Sequence, residues 1–220
     1  MHINKSTIII TSAGSLVGGT LAERFCKLGA RLILIDRCEP MLNETYQRCR
    51  SISEDVDCIN VTDYSTQSIE AFFLWIDQHC EHSPNVLINL WPKPEIPSIT
   101  DDHPIEDFSS NISSIATTLF SFAQLFAQRV RNNEEGGVVV NIIANSEETK
   151  ASHGIDHTTS MVSGFTQSWA KELTPFNIRV GGIFPNASYE EPSNELLEDV
   201  IRNTEYILEN EYFSGRIMTA

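Results

Sequence analysis

Short runs of β-branched residues alternate along this chain with longer stretches of helical spacing, and that alternation constrains the fold more than any other feature. Thr7-Ile-Ile-Ile-Thr11 is brief and apolar on both faces, as a strand covered from both sides must be. Arg31 to Ile35, Cys58 to Val61, Asn85 to Leu90, Gly137 to Ile143 and Ile178 to Phe184 repeat the pattern, and Arg216 to Thr219 adds an edge candidate. Between them lie amphipathic stretches: Val17 to Leu28 with Gly29 beyond its end, Thr66 to Cys80, Phe108 to Val130, Thr158 to Leu173 and Asn194 to Leu208. Crossovers of this length suit right-handed βαβ units. The expectation is an α/β chain: one doubly wound domain over residues 1–220, with a mostly parallel sheet of about seven strands flanked by helices.

Charge narrows the partners. Thirty acidic residues against fifteen basic ones give a net charge of −15 over 220 residues. Such a surface repels phosphate backbones and anionic lipid, so neither nucleic acid nor membrane is an expected partner. The opening Met1-His-Ile-Asn-Lys lacks the long apolar region of a secretion signal. No apolar run nears the roughly 18 residues that span a bilayer. The five cysteines contain no C-x-x-C pair, which suits reduced thiols and a cytoplasmic chain. His79, Cys80 and His82 are metal-ligating types without an obvious fourth ligand, so no metal is expected.

The first strand runs into Thr11-Ser-Ala-Gly-Ser-Leu-Val-Gly-Gly19. A Rossmann-type dinucleotide turn needs glycine where the chain bends, where backbone meets pyrophosphate and where helix meets strand. Asp36 closes the second strand, where a carboxylate can hold a ribose 2′-hydroxyl and disfavour a 2′-phosphate. It can equally cap the loop that follows.

Later segments are more specific. Ala170-Lys-Glu-Leu-Thr-Pro-Phe-Asn-Ile-Arg-Val-Gly-Gly-Ile-Phe-Pro185 resembles the A-x-E-L-x-P-x-x-I-R-V-N-x-I-x-P-G stretch of the short-chain dehydrogenase/reductase family. Gly137-Val-Val-Val-Asn-Ile142, Asn85-Val-Leu-Ile-Asn89, Ser163-Gly-Phe-Thr-Gln-Ser and Phe213-Ser-Gly215 resemble further family segments, in order and at the right spacing. The resemblance implies a nicotinamide dinucleotide site built on Thr11, Ser12, Leu16, Gly18, Asp36, Asn89 and Pro185, and NAD rather than NADP. It also implies a homodimer or homotetramer paired through helices 108–130 and 158–173.

The departures are as informative. In the family's T-G-x-x-x-G-x-G turn, Thr11 and Gly18 remain, while Ser12 and Leu16 replace glycines. A leucine side chain there enters the pyrophosphate space or forces the loop aside, and Gly14 lies between the required positions. After Asn89 come Leu90, Trp91 and Pro92 in place of N-A-G, and Asn186 follows Pro185 where the family has glycine. The expected cofactor is therefore none, with NAD favoured if any binds.

The family's chemistry uses a tyrosine acid/base, a lysine four residues on, a serine and an asparagine. A phenol with a pKa of about 10 works at neutral pH only beside a cation. The serine position falls on Ala144, the tyrosine on Ile155 and the lysine on Thr159; only Asn111 matches. The chain's tyrosines are Tyr46, Tyr64, Tyr189, Tyr206 and Tyr212, so no shift of alignment restores the pair. Asn111 can also be a buried polar group near a helix irregularity. His153 in the preceding loop is a replacement acid/base candidate, His157 lies on the far side of the helix from Ile155, and Tyr189 follows the sixth strand. The leading expectation is a pseudoenzyme: a binding, assembly or regulatory module, with an unidentified protein partner as one option. An NAD-dependent oxidoreductase with non-standard catalytic residues and an NAD sensor without turnover are the alternatives.

Overall fold

In the computed structural model, strands β1 (Thr7–Thr11), β2 (Arg31–Asp36), β3 (Val56–Asn60), β4 (Val86–Pro92), β5 (Gly137–Ala144), β6 (Ile178–Phe184) and β7 (Arg216–Thr219) form a seven-stranded sheet in the order β3-β2-β1-β4-β5-β6-β7. Every pairing is parallel. The connections carry helices α1 (Leu16–Lys27), α2 (Glu39–Arg50), α3 (Thr66–His79), α4 (Ile105–Val130), α5 (Gly154–Leu173) and α6 (Asn194–Glu209). The structure describes residues 2–92, 102, 105–132, 136–144, 154–184 and 194–220. The expected doubly wound α/β architecture is the one observed. No helix among the described residues is long and apolar enough to cross a membrane.

Alternation along each strand sorts the core into two layers. Ile8, Ile10, Leu32, Leu34, Val86, Ile88, Val138 and Val140 face α1, α2 and α6. Ile9, Ile33, Leu87 and Val139 face the opposite layer, where Phe72, Phe73, Phe122 and Phe126 of α3 and α4 are nearly or fully buried. Both faces are covered, so the middles of β1 and β2 are apolar on both sides.

Most element ends differ from the expectation by a residue or two, α5 begins at Gly154 rather than Thr158, and three further differences have a clear reason. Helix α2 has no counterpart among the helices read from the sequence: its buried stripe is only Leu42, Thr45 and Cys49, and most of its surface is polar. Helix α4 begins at Ile105 rather than Phe108 because its first turn lies in solvent, with Ile105 70% and Phe108 41% exposed, so core periodicity does not mark it. Strand β3 starts at Val56 and ends at Asn60, paired residue by residue with Leu32 to Asp36.

The order reverses between β1 and β4. This is the switch point, where an open α/β sheet presents a crevice at the carboxyl ends of its strands.

Candidate functional site at the switch point

Thr11 ties the two strands that flank the switch point. Its buried hydroxyl accepts from the Leu90 N–H at 2.8 Å and lies 3.3 Å from the Leu90 carbonyl and 3.4 Å from Asn89 Oδ1. Asn89 is 1% exposed, and its Nδ2 has no hydrogen-bond partner among the described residues. A buried donor left unpaired costs about 1–3 kcal/mol, so this one marks a place where the crevice floor is unfinished.

The turn after β1 keeps its bend without the first glycine. Ser12 adopts φ +48°, the left-handed region a glycine would occupy without strain. Ser15 caps α1 by accepting from the Gly18 N–H at 3.1 Å. Gly18 retains its packing role: a Cβ there would lie 2.4 Å from the Ser12 carbonyl oxygen. Gly14 serves a different contact, since a Cβ would lie 2.8 Å from Met41 Cβ and 2.9 Å from Leu42 N on α2. Leu16 is the first residue of α1 and is 46% exposed, so it stands in solvent at the helix N-terminus instead of packing.

Asp36 has work within the chain. Its Oδ2 accepts from the Gly14 N–H at 2.8 Å, and its Oδ1 accepts from the Cys38 N–H at 2.9 Å. The loop-capping role weighed for it is thus present, and it fixes the glycine turn against the end of β2.

A side chain that the sequence reading did not single out as a site residue faces this turn. Tyr64, in the loop between β3 and α3, accepts a long hydrogen bond from the Ser12 N–H at 3.4 Å. The Arg37 guanidinium lies 5.2 Å from its ring centre, and Phe122 meets the ring edge-on at 5.6 Å. Burial pushes the Tyr64 phenol up to about 12, with Asp36 adding to the rise and Ser12 opposing it. Thr11, Arg37, Tyr64, Asn89, Asn111 and Thr118 line a cleft of about 560 Å³ here. Asn111, on α4, is among the residues that line this cleft.

The other positions at which the resemblance expects catalytic residues lie along β5 and α5. Ala144 ends β5 opposite Pro92, and Thr159 is half-buried on α5. Ile155 falls on the first turn of α5. Behind them Asn141 is fully buried, its Nδ2 donating to Thr166 Oγ1 at 3.0 Å while its Oδ1 is unpartnered among the described residues. The side chains of Trp91, Ala144, Ile155 and His157, and all of His153, Pro185, Asn186 and Tyr189, lie outside the described residues. His79 stacks on Trp75 at 4.7 Å and bonds the Trp75 carbonyl through Nδ1 at 2.9 Å. Among the described residues no group of three or more His, Cys, Asp or Glu side chains could hold a metal ion.

Comparison with known proteins agrees with the fold. An uncharacterised oxidoreductase of Staphylococcus epidermidis is 24% identical over 190 residues, covering 83% of this chain and 78% of its own. A protein of Rhizobium meliloti named "Probable galactose dehydrogenase" is 26% identical over 207 residues, covering 86% of this chain and 74% of its own. The crystal structure of a short-chain type dehydrogenase/reductase from Mycobacterium marinum superimposes with a TM-score of 0.83 at 15% identity, covering 98% of this chain and 93% of that one. The family described as short chain dehydrogenase matches residues 6–198, from the start of β1 through the first turns of α6, and the chain belongs to it.

Proposed function

We propose that this chain is a short-chain-dehydrogenase-fold protein that does not run the family's tyrosine-based hydride transfer and serves as a binding or assembly module. The observation that carries the reading is chemical: Ala144, Ile155 and Thr159 stand where the family's serine, tyrosine and lysine belong, and no tyrosine lies between Tyr64 and Tyr189. The tyrosine and the lysine four residues on, which together move a proton at neutral pH in the family, have no counterpart at these positions of the sequence.

The dinucleotide turn also departs from what such a cofactor needs. The Ser12 N–H is taken by Tyr64, and the Asp36 oxygens each hold a backbone amide. Leu16 stands at the helix N-terminus, where a pyrophosphate would sit. The residues present do not fit a dinucleotide in this arrangement, and no step is assigned through one. Isothermal titration with NAD and NADP tests this: weak or absent binding is expected, and affinity in the low micromolar range would overturn it.

Assembly would use the outer faces of α4 and α5. Phe120 and Phe176 are 50% and 43% exposed there beside Trp169, and Arg131 and Glu172 line the same groove, so the face carries both signs of charge for a two-fold copy. Sedimentation should give a dimer or tetramer that Phe120→Asp dissociates; an unaltered sedimentation coefficient would remove this part of the reading.

The names of the relatives favour a second reading, an oxidoreductase; in this chain its replacement acid/base would be His153. It requires turnover of a carbonyl or alcohol substrate that His153→Ala abolishes. Absence of NAD-linked absorbance change across a broad substrate panel would exclude it.

A further inference from the structure

We infer that a single water molecule is held between Asn89 and Asn141, and that it completes a hydrogen-bonded chain running from the end of β1 across the sheet to α5. This site is independent of the proposed function and holds whether the chain binds, assembles or catalyses.

The two asparagines stand at one level of the sheet. Asn89 on β4 pairs in register with Asn141 on β5, and neighbouring strands lie about 4.8 Å apart. Leu87 and Val139, two residues before them, belong to the layer that packs on α3 and α4, so alternation turns both amides into that same layer. Both residues are buried. Asn89 Nδ2 and Asn141 Oδ1 have no hydrogen-bond partner among the described residues, so they do not bond each other. A donor on one strand and an acceptor on the next are thus left over side by side. Each would cost about 1–3 kcal/mol if it stayed unpaired.

The groups on either side run in one sense. The Leu90 N–H donates to Thr11 Oγ1 at 2.8 Å, and Thr11 Oγ1 reaches Asn89 Oδ1 at 3.4 Å. Beyond the gap, Asn141 Nδ2 donates to Thr166 Oγ1 at 3.0 Å. A water that accepts from Asn89 Nδ2 and donates to Asn141 Oδ1 joins the two halves head to tail. Turning both carboxamides over reverses the chain and leaves the same link open. Water serves that sense equally, because it both donates and accepts. An ion would not: the buried polar residues described are Ser, Thr and Asn, with no charged side chain among them to balance it. A buried polar site with two partners suits a structural water. The bridge fastens the floor of the crevice to β5 and α5.

A high-resolution crystal structure should show ordered density within about 3.2 Å of both amides. An empty gap, or the two amides in direct contact, overturns the proposal. In solution, the side-chain amide protons of Asn89 should give a cross-relaxation peak with water, of the sign that marks a long-lived bound molecule. Its absence also overturns the proposal. Stability supplies a separate arm. Asn89→Leu and Asn141→Leu should each lower the folding equilibrium constant at least about fivefold, because each leaves the opposite amide unpaired. The double variant leaves neither amide orphaned and should lose less than the product of the two single losses. Losses that simply multiply overturn the proposal. Should a single variant fail to fold, the density and the cross-relaxation peak decide, since both are measured on the unaltered chain.

Discussion

Restoring the first glycine of the turn should stabilise this protein. Ser12 holds φ +48°, and an L-residue in that region carries about 1–2 kcal/mol of strain from its Cβ. Ser12→Gly removes the Cβ and so relieves it. The opposing term is the extra freedom glycine gives the unfolded chain, about 0.4–1 kcal/mol. The hydroxyl of Ser12 makes no hydrogen bond among the described residues, while its carbonyl and N–H, which do, survive the change. The balance is a gain of about 1 kcal/mol. For a chain of this length that raises Tm by roughly 2–4 °C. Thermal melting by circular dichroism and urea titration should agree. Ser12→Ala keeps the Cβ and is the control, expected within about 0.5 kcal/mol of the parent. A lower Tm for Ser12→Gly would refute the argument, because it would mean that the serine side chain contributes more than its backbone strain costs.

Other consequences are open to measurement. Thr166→Val leaves Asn141 Nδ2 buried without its acceptor and should cost about 1–3 kcal/mol in urea unfolding, whereas Thr166→Ser should recover most of it. Asp63 is held down to about 2 by hydrogen bonds from Ser65 and then Ser68, below its unfolded value of about 3.9. Its contribution is therefore complete above about pH 4 and lost as pH falls through about 2, so Asp63→Asn should flatten the stability profile across that window. Among the thiols, Cys38 is exposed, while Cys26 and Cys49 are buried, with burial pushing Cys49 up to about 12. A disulfide reagent should label Cys38 first and reach Cys26 and Cys49 only as the chain unfolds; rapid labelling of Cys49 at neutral pH would count against the packing between α1 and α2.

What could be read ahead of the structure follows a physical line. Strands such as Thr7–Thr11 are legible because a two-sided core demands uninterrupted β-branched residues, and α3 because Ile69, Phe72, Phe73 and Ile76 repeat at helical spacing. Helix α2 was not, because three buried residues on a polar helix leave too thin a stripe to stand out. At the site, the expected positions could be counted along the chain, but the contacts around them could not. Tyr64 lies 52 residues from the amide it occupies, and no local pattern links them. The two backbone amides on Asp36 are likewise products of how the turn and the end of β2 meet, so the carboxylate's use inside the chain became visible only with coordinates.

The strand order also imposes a timetable. Thr7 meets Arg31 on one side of β1, but Ile8 waits for Val86 on the other. Closing the roughly threefold longer loop costs about 1 kcal/mol more, and contacts so far apart in sequence form late. Until β4 arrives, one edge of Ile8, Ile9 and Ile10 stays open on a nascent or refolding chain, an adhesive strip that a second unfinished copy can reach. The seam that closes last is the one that frames the crevice. Losses of yield during refolding should therefore track conditions that slow the docking of β4 on β1, and crowded or concentrated refolding should suffer most.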